Sequence, residues 1–171
     1  LFSWIVLILY FIQFNYLGAE TNIAFIDMDR IMNSTKPGIS MIKQLNVINK
    51  KNVSKFNNYA KKLKEQENKL ISQKNISTES DFKSNIEKLS LEVKRFNENK
   101  RMVNDDFKKL RINSTNELLK LINPILIKFS KDNSISLILN KKNLVVGKTE
   151  LDITDEIIIM INTEIKEFKI K

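Results

Sequence analysis

Apolar residues in the middle of the chain recur at steps of three and four. One run reads Phe82, Ile86, Leu89, Val93, Phe96, Lys100, Val103, Phe107 and Leu110, an a/d heptad seam with one polar member. An earlier run reads Ile42, Leu45, Asn49, Asn52, Phe56, Tyr59, Leu63, Gln66 and Leu70, with polar residues at three positions. Between them lies the polar stretch Ser72 to Asp81, too short for a domain. The pattern predicts a long antiparallel coiled-coil hairpin. Its first helix runs from about Ile39 to Gln73, after Lys36-Pro37-Gly38 breaks the pattern, and reaches roughly 50 Å at ~1.5 Å per residue. Thr78-x-x-Asp81 caps the return helix, which runs to about Ile122. Pro124 marks a kink or a short break, after which Ile125, Leu126, Ile127 and Phe129 carry the helical pattern to about Lys131. Buried polar seam residues weaken coiled-coil packing, so Asn49, Asn52, Gln66 and Lys100 are the expected points of flexure.

The two ends read differently. Asn22 to Met28 is a short, β-branched apolar run that predicts a strand, and Asp29 to Ser34 is polar. Ser134 to Asn140 and Asn143 to Gly147 are two further strand candidates, with Asn140 to Asn143 as the tight turn of a β-hairpin. Leu151-Asp-Ile-Thr-Asp-Glu156 opens a last helix, capped through Asp152 with Asp155 or through Thr154. Ile157, Ile158, Met160, Ile161, Ile165 and Phe168 give it a broad apolar face. The expected fold is mainly α, with a small β body. In it a helical arm, residues 37–125, is inserted into a small antiparallel sheet built from residues 20–36 and 126–171. Such a sheet buries a thin core. Ile23, Phe25, Leu137, Leu139, Val145 and Ile158 are therefore the candidate surface for self-association with closed cyclic symmetry.

Composition narrows the function. Three Gly and two Pro are few for a strand-rich fold. Cysteine and histidine are both absent. Disulfides, thiol chemistry, Cys-ligated metal and the usual general base are excluded. Residues 1–17 carry no charge and lead into Gly18-Ala19, the form of a secretory signal peptide cleaved after Ala19. An uncleaved membrane anchor is the alternative, since spans need about 17–25 apolar residues. Charge is uneven. Residues 20–35 hold one basic and three acidic groups, net −2; residues 36–125 hold 20 and 10, net +10; residues 126–171 hold 8 and 7, net +1. The whole excess of +9 therefore sits on the arm.

No catalytic constellation emerges, and neither a cofactor nor a metal is expected. Asp27 and Asp29 look like a carboxylate pair but suit strand termination or capping. Asp152, Asp155 and Glu156 complement a helix dipole better than they make a cation site. Lys55-Phe56 and Lys94-Arg95-Phe96 interleave basic and aromatic residues, as nucleic-acid binders do. Phe56 and Phe96 are needed on the seam, and export separates the chain from cytoplasmic nucleic acid, so that reading is set aside.

Ile23-Ala-Phe-Ile-Asp-Met-Asp-Arg-Ile-Met-Asn33, with Pro37-Gly38 leading into a long helix, resembles the opening of the Skp (OmpH-like) periplasmic chaperones. Ile138-Leu-Asn-Lys-Lys-Asn-Leu-Val-Val-Gly147 and Leu151 to Glu156 resemble that family's closing segment. The resemblance covers about residues 22–165. It implies a homotrimer with a β-rich body and three helical tentacles around a cavity. It also implies an ATP-independent periplasmic holdase that keeps unfolded outer-membrane proteins from aggregating. On that basis Lys61, Lys62, Lys64, Lys69, Lys94, Arg95, Lys108 and Lys109 are the arm residues expected to meet acidic clients, and lipopolysaccharide or an anionic membrane surface is a further implied partner. No lipopolysaccharide site is assigned to particular residues. A membrane-anchored structural coiled coil of the envelope is the competing reading.

Overall fold

The computed structural model describes residues 21–171, so the signal-peptide segment and its alternative as an anchor lie outside the described residues. Strand β1 (Ile23–Ile26) leads into a short helix α1 (Met28–Ser34), and then into the two long helices α2 (Lys36–Ser72) and α3 (Glu79–Asp132). Strand β2 (Leu137–Asn140) follows, with 3-10 turns at Lys141–Asn143 and Thr149–Leu151 and a last helix α4 (Thr154–Glu164). The chain is mostly helical, as its periodicity predicts. Among the described residues, no helix is long and apolar enough to cross a membrane.

The sheet differs from the expected one. It has two strands, and they are parallel, with Ile23 opposite Leu137 and Ile26 opposite Asn140. Parallel neighbours need a long crossover, and here the whole helical hairpin is that crossover. The reversal from α3 into β2 is a Schellman turn. The Ser134 N–H reaches Lys131 O (3.3 Å), the Ile135 N–H reaches Ser130 O (2.9 Å), and Ser134 takes a left-handed φ of 54°. Serine stands where glycine is usual, so the sequence carries little sign of the turn. The third expected strand does not form. The Asn140 side chain accepts from Lys142 N (3.1 Å) and Leu144 N returns to Lys141 O (3.0 Å), so the chain coils outward instead of reversing into a hairpin. The other edge of β1 is taken instead by Asp152 and Ile153, whose N–H reaches Phe25 O (3.1 Å).

The Asp29–Ser34 segment, read as polar, belongs to helix α1. Asp27 caps it by accepting from Arg30 N (2.9 Å), and Ile31 turns fully inward. Lys36-Pro37-Gly38 likewise begins α2 rather than breaking the pattern. Thr35 caps the helix (3.3 Å to Gly38 N), and Pro37 occupies the first turn, where no N–H is needed. Gly38 is required by close approach: a Cβ there would lie 2.0 Å from the Met32 carbonyl oxygen. Thr78 caps α3 through Asp81 N (3.2 Å), and its hydroxyl donates to the Asp81 carboxylate (2.7 Å). Pro124 does not interrupt α3, which runs unbroken for 54 residues, ~80 Å at 1.5 Å per residue.

Ile31, Leu118, Ile122, Ile157 and Ile161 are fully buried, joined by Ile26, Met41, Leu45, Ile125 and Phe168. This core lies where α1, α4 and the roots of α2 and α3 meet. Alternation along β1 turns Ala24 and Ile26 toward it and leaves Ile23 on the opposite face. The body thus owes more of its packing to helices than to strands.

Candidate functional site: the helical arm

Beyond Leu45 the arm consists of α2 and α3 alone. Its middle is held by an aromatic knot. Phe56 meets Phe96 edge-on (centroids 6.0 Å apart, 68°), and Tyr59 stacks on Phe96 (5.4 Å, 11°). The Tyr59 hydroxyl donates to Glu92 (2.7 Å), and that bond raises the phenol above its ordinary pKa. Phe56 and Leu63 are the buried α2 residues here. On α3 one row at seven-residue intervals, Phe82, Leu89, Phe96, Val103 and Leu110, is half-buried.

The alternate row does not close. Ile86 is 45% exposed and Val93 38%, and Lys100, Asn49 and Gln66 are also exposed. Only Asn52 among the four polar seam positions is half-buried. A two-helix hairpin offers each helix one neighbour, so half of a heptad seam stays open along its flank. The polar positions therefore lie in gaps of the packing rather than inside it, and the stretch between Leu45 and Phe56 has no buried residue on α2.

The eight basic residues singled out from the sequence are all exposed and are spread along the arm, not gathered at one point. Several are tied locally: Lys108 to Asp105 (3.1 Å), Lys109 to Asp106 (3.9 Å) and Lys61 to Glu65 (4.0 Å). Three others rim open hollows. Arg95 borders one of about 250 Å³ floored by Phe56, Tyr59 and Phe96. Lys69 borders a second with Leu70 and Leu89, and Lys94 a third with Val93. Lys55, Lys88 and Arg101 share these rims. Sequence reasoning met Lys55 only beside Phe56 in the nucleic-acid reading it set aside, and passed over Lys88 and Arg101, although each lies within a turn of a seam residue.

The six body residues separate into three environments. Ile23 (40% exposed) and Leu137 (47%) sit side by side on the outer sheet face, with Leu139 half-buried on the same face, and Val145, in the segment that leads to Gly147, is fully exposed. Phe25 shares that face but is covered. Gly147 packs on its ring, leaving no room for a Cβ (2.8 Å to Cε1), and the Lys141 ammonium lies 5.7 Å from the ring centroid. Ile158 packs against the helical core instead.

The acidic residues serve local structure. Asp27 caps α1, Asp29 pairs with Lys142 (3.3 Å), and Asp155 takes both arms of Arg30 (2.5 and 3.3 Å). Asp152 accepts from Lys141 (2.9 Å), from Thr154 N (3.1 Å) and from the Thr154 hydroxyl, which in turn accepts from Asp27 N (2.9 Å). Burial pushes the Asp152 carboxyl up, but the Thr154 and Lys141 hydrogen bonds outweigh it and hold the group below the ordinary carboxylate range. The same bond holds Lys141 above its usual value. No group of three or more His, Cys, Asp or Glu suited to a metal occurs among the described residues.

The family model described as "Outer membrane protein (OmpH-like)" matches residues 22–161. Among solved structures, the chain resembles an OmpH-like outer membrane chaperone from Caulobacter crescentus, with a TM-score of 0.80 at 13% identity. The match covers 92% of this chain and 93% of the other. At that identity the likeness is one of fold. No curated protein matches the sequence.

Proposed function

Because the chain belongs to the OmpH-like outer membrane protein family, a family of chaperones, we propose that it is an ATP-independent holdase of the periplasm that shelters unfolded outer-membrane proteins between its arms. The observation that carries this reading is the arm's open flank. Ile86, Val93 and Tyr59 are exposed, and Val93 and Tyr59 line hollows with basic rims. An unfolded barrel strand alternates apolar and polar residues and aggregates through unpaired edges. A long surface of weak apolar contacts and excess positive charge holds such a chain without reading its sequence. The arm's net charge of +10 favours acidic clients and the phosphates of anionic lipids.

The outer sheet face supports the second element of the reading, a homotrimer. Ile23 and Leu137 are exposed apolar neighbours on a sheet too small to close on itself, and Val145 is a further exposed apolar residue of the body. Three copies joined there set three arms around one cavity. The test is light scattering of an unfolded barrel protein diluted from urea, with the mature protein added. Equimolar trimer is expected to suppress aggregation without ATP. Unchanged aggregation at equimolar and excess trimer overturns the holdase reading.

A further inference from the structure

The segment after α4, residues 165–171, forms no helix or strand, yet it is pinned to the root of the arm. One side chain of α2 reads its backbone twice. Gln44 Nε2 donates to Phe168 O (2.6 Å), and Gln44 Oε1 accepts from Ile170 N (3.1 Å). This is the carbonyl-then-amide pattern that a neighbouring strand would supply. The Ser40 hydroxyl adds a bond to the same Phe168 carbonyl (3.0 Å), and Ser40 O holds the Gln44 amide in place (3.2 Å). Phe168 itself is buried in the core. The α2 side of this strap is therefore saturated with directional bonds.

The α3 side is the opposite. Between the strap and α3 lies a cavity of about 470 Å³, lined by Leu110, Ser114, Glu117 and Leu121 from the helix and by Phe168 and Lys171 from the strap. Just beyond it, Pro124 supplies no N–H to the carbonyl of Lys120, which removes one rung of α3 beside the void. Higher on the arm, α2 has no buried residue between Leu45 and Phe56, so it can bend where the two asparagines lie. One helix has a weakened rung beside an open pocket, and its partner has a loosely packed stretch further out.

We propose that residues 165–171 are a latch that sets the swing of the arm: with Phe168 seated and Gln44 bonded, α2 and α4 move as one body, and the outer part of α3 tilts toward the cavity behind the strap about its packed Leu118–Ile122 anchor. The lever is long. From Lys120 to the tip α3 extends ~60 Å, so a tilt of ~5° moves the tip by ~5 Å. Releasing the strap frees the root of α2 as well and widens the swing.

The native chain has no cysteine, so two introduced ones report cleanly. Spin labels at Gln73→Cys near the tip and at Ile159→Cys on the exposed face of α4 give a tip-to-body distance, measured in full-length protein diluted with unlabelled chains. Two variants act in opposite directions. Gln44→Ala removes both strap bonds; the Ile170 amide is expected to exchange about tenfold faster, and the distance distribution to broaden. Ser114→Met fills the cavity and leaves the strap bonded; the distribution is expected to narrow, with Ile170 exchange unchanged. The latch is overturned if Gln44→Ala accelerates Ile170 exchange with no change in the distances, or if Ser114→Met folds and swings like the parent. None of these readouts involves a client, so the latch and the holdase reading fail separately.

Discussion

The root of the arm and its outer half have the same heptad spacing and different neighbours. At the root, Leu118 and Ile122 of α3 and Leu45 of α2 belong to one core with α1, α4 and the strap. Further out, Phe96 and Leu89 have one facing helix and stay half-buried, and Ile86 and Val93 stay exposed. Periodicity selects the face of a helix that turns inward. The number of elements that meet it decides how far it is buried. The root is accordingly the stable anchor, and the outer arm is the part that can open locally at low cost.

Removing a side chain from each region gives the sharpest test. Leu118→Ala should cost about 3–5 kcal/mol, since its site is fully enclosed, whereas Leu63→Ala should cost about 2 kcal/mol or less, because the outer arm can close around the loss. Urea denaturation measures both, and equal costs would erase the distinction.

Acid should weaken the body at Asp152. Asp152 is held below its ordinary range when folded. Its contribution is therefore complete above the unfolded carboxylate value of ~3.9 and disappears as pH falls through the lower folded value. Asp152→Asn should flatten the fall in melting temperature between about pH 5 and pH 2, and a variant with the parental profile would place the acid-sensitive group elsewhere.

The smallest effect on stability per residue is expected on the arm surface. Reversing Lys61, Lys62, Lys64, Lys108 and Lys109 to Glu should shift unfolding by only about 0.5 kcal/mol per site while weakening capture of an acidic client. Size-exclusion chromatography should show the proposed trimer intact. Loss of the oligomer would move the association surface onto the arm.

Much of this architecture is legible from residue order. The 3-4 steps locate both long helices to within a few residues, and Thr78-x-x-Asp81 locates the turn between them. The body is less legible because long-range pairing decides it. Nothing local in Ser134 to Gly147 says that β2 lies parallel to β1, or that Asp152 takes the edge where a third strand was expected. Pro37 and Gly38 were misleading because their usual meaning, a break, competes with a second one: Pro in a first turn and Gly against a neighbouring carbonyl. The strap was hidden by periodicity: Ile165 and Phe168 continue the apolar face expected of the last helix, which instead ends at Glu164, and glutamine at position 44 is an ordinary residue for a helix face.

The parallel pairing of β1 with β2 also bears on how the chain folds. Ile23 leaves the ribosome first, and its partner Leu137 follows 114 positions later. Closing a loop of that length unaided is entropically unfavourable and slow. The hairpin between them pairs neighbours close in sequence near the Ser72–Thr78 turn, so it is expected to form first and to deliver the two strands to the same place. The arm is thus the template on which its own foundation is assembled, and a defect at its turn should appear first as delayed closure of the body.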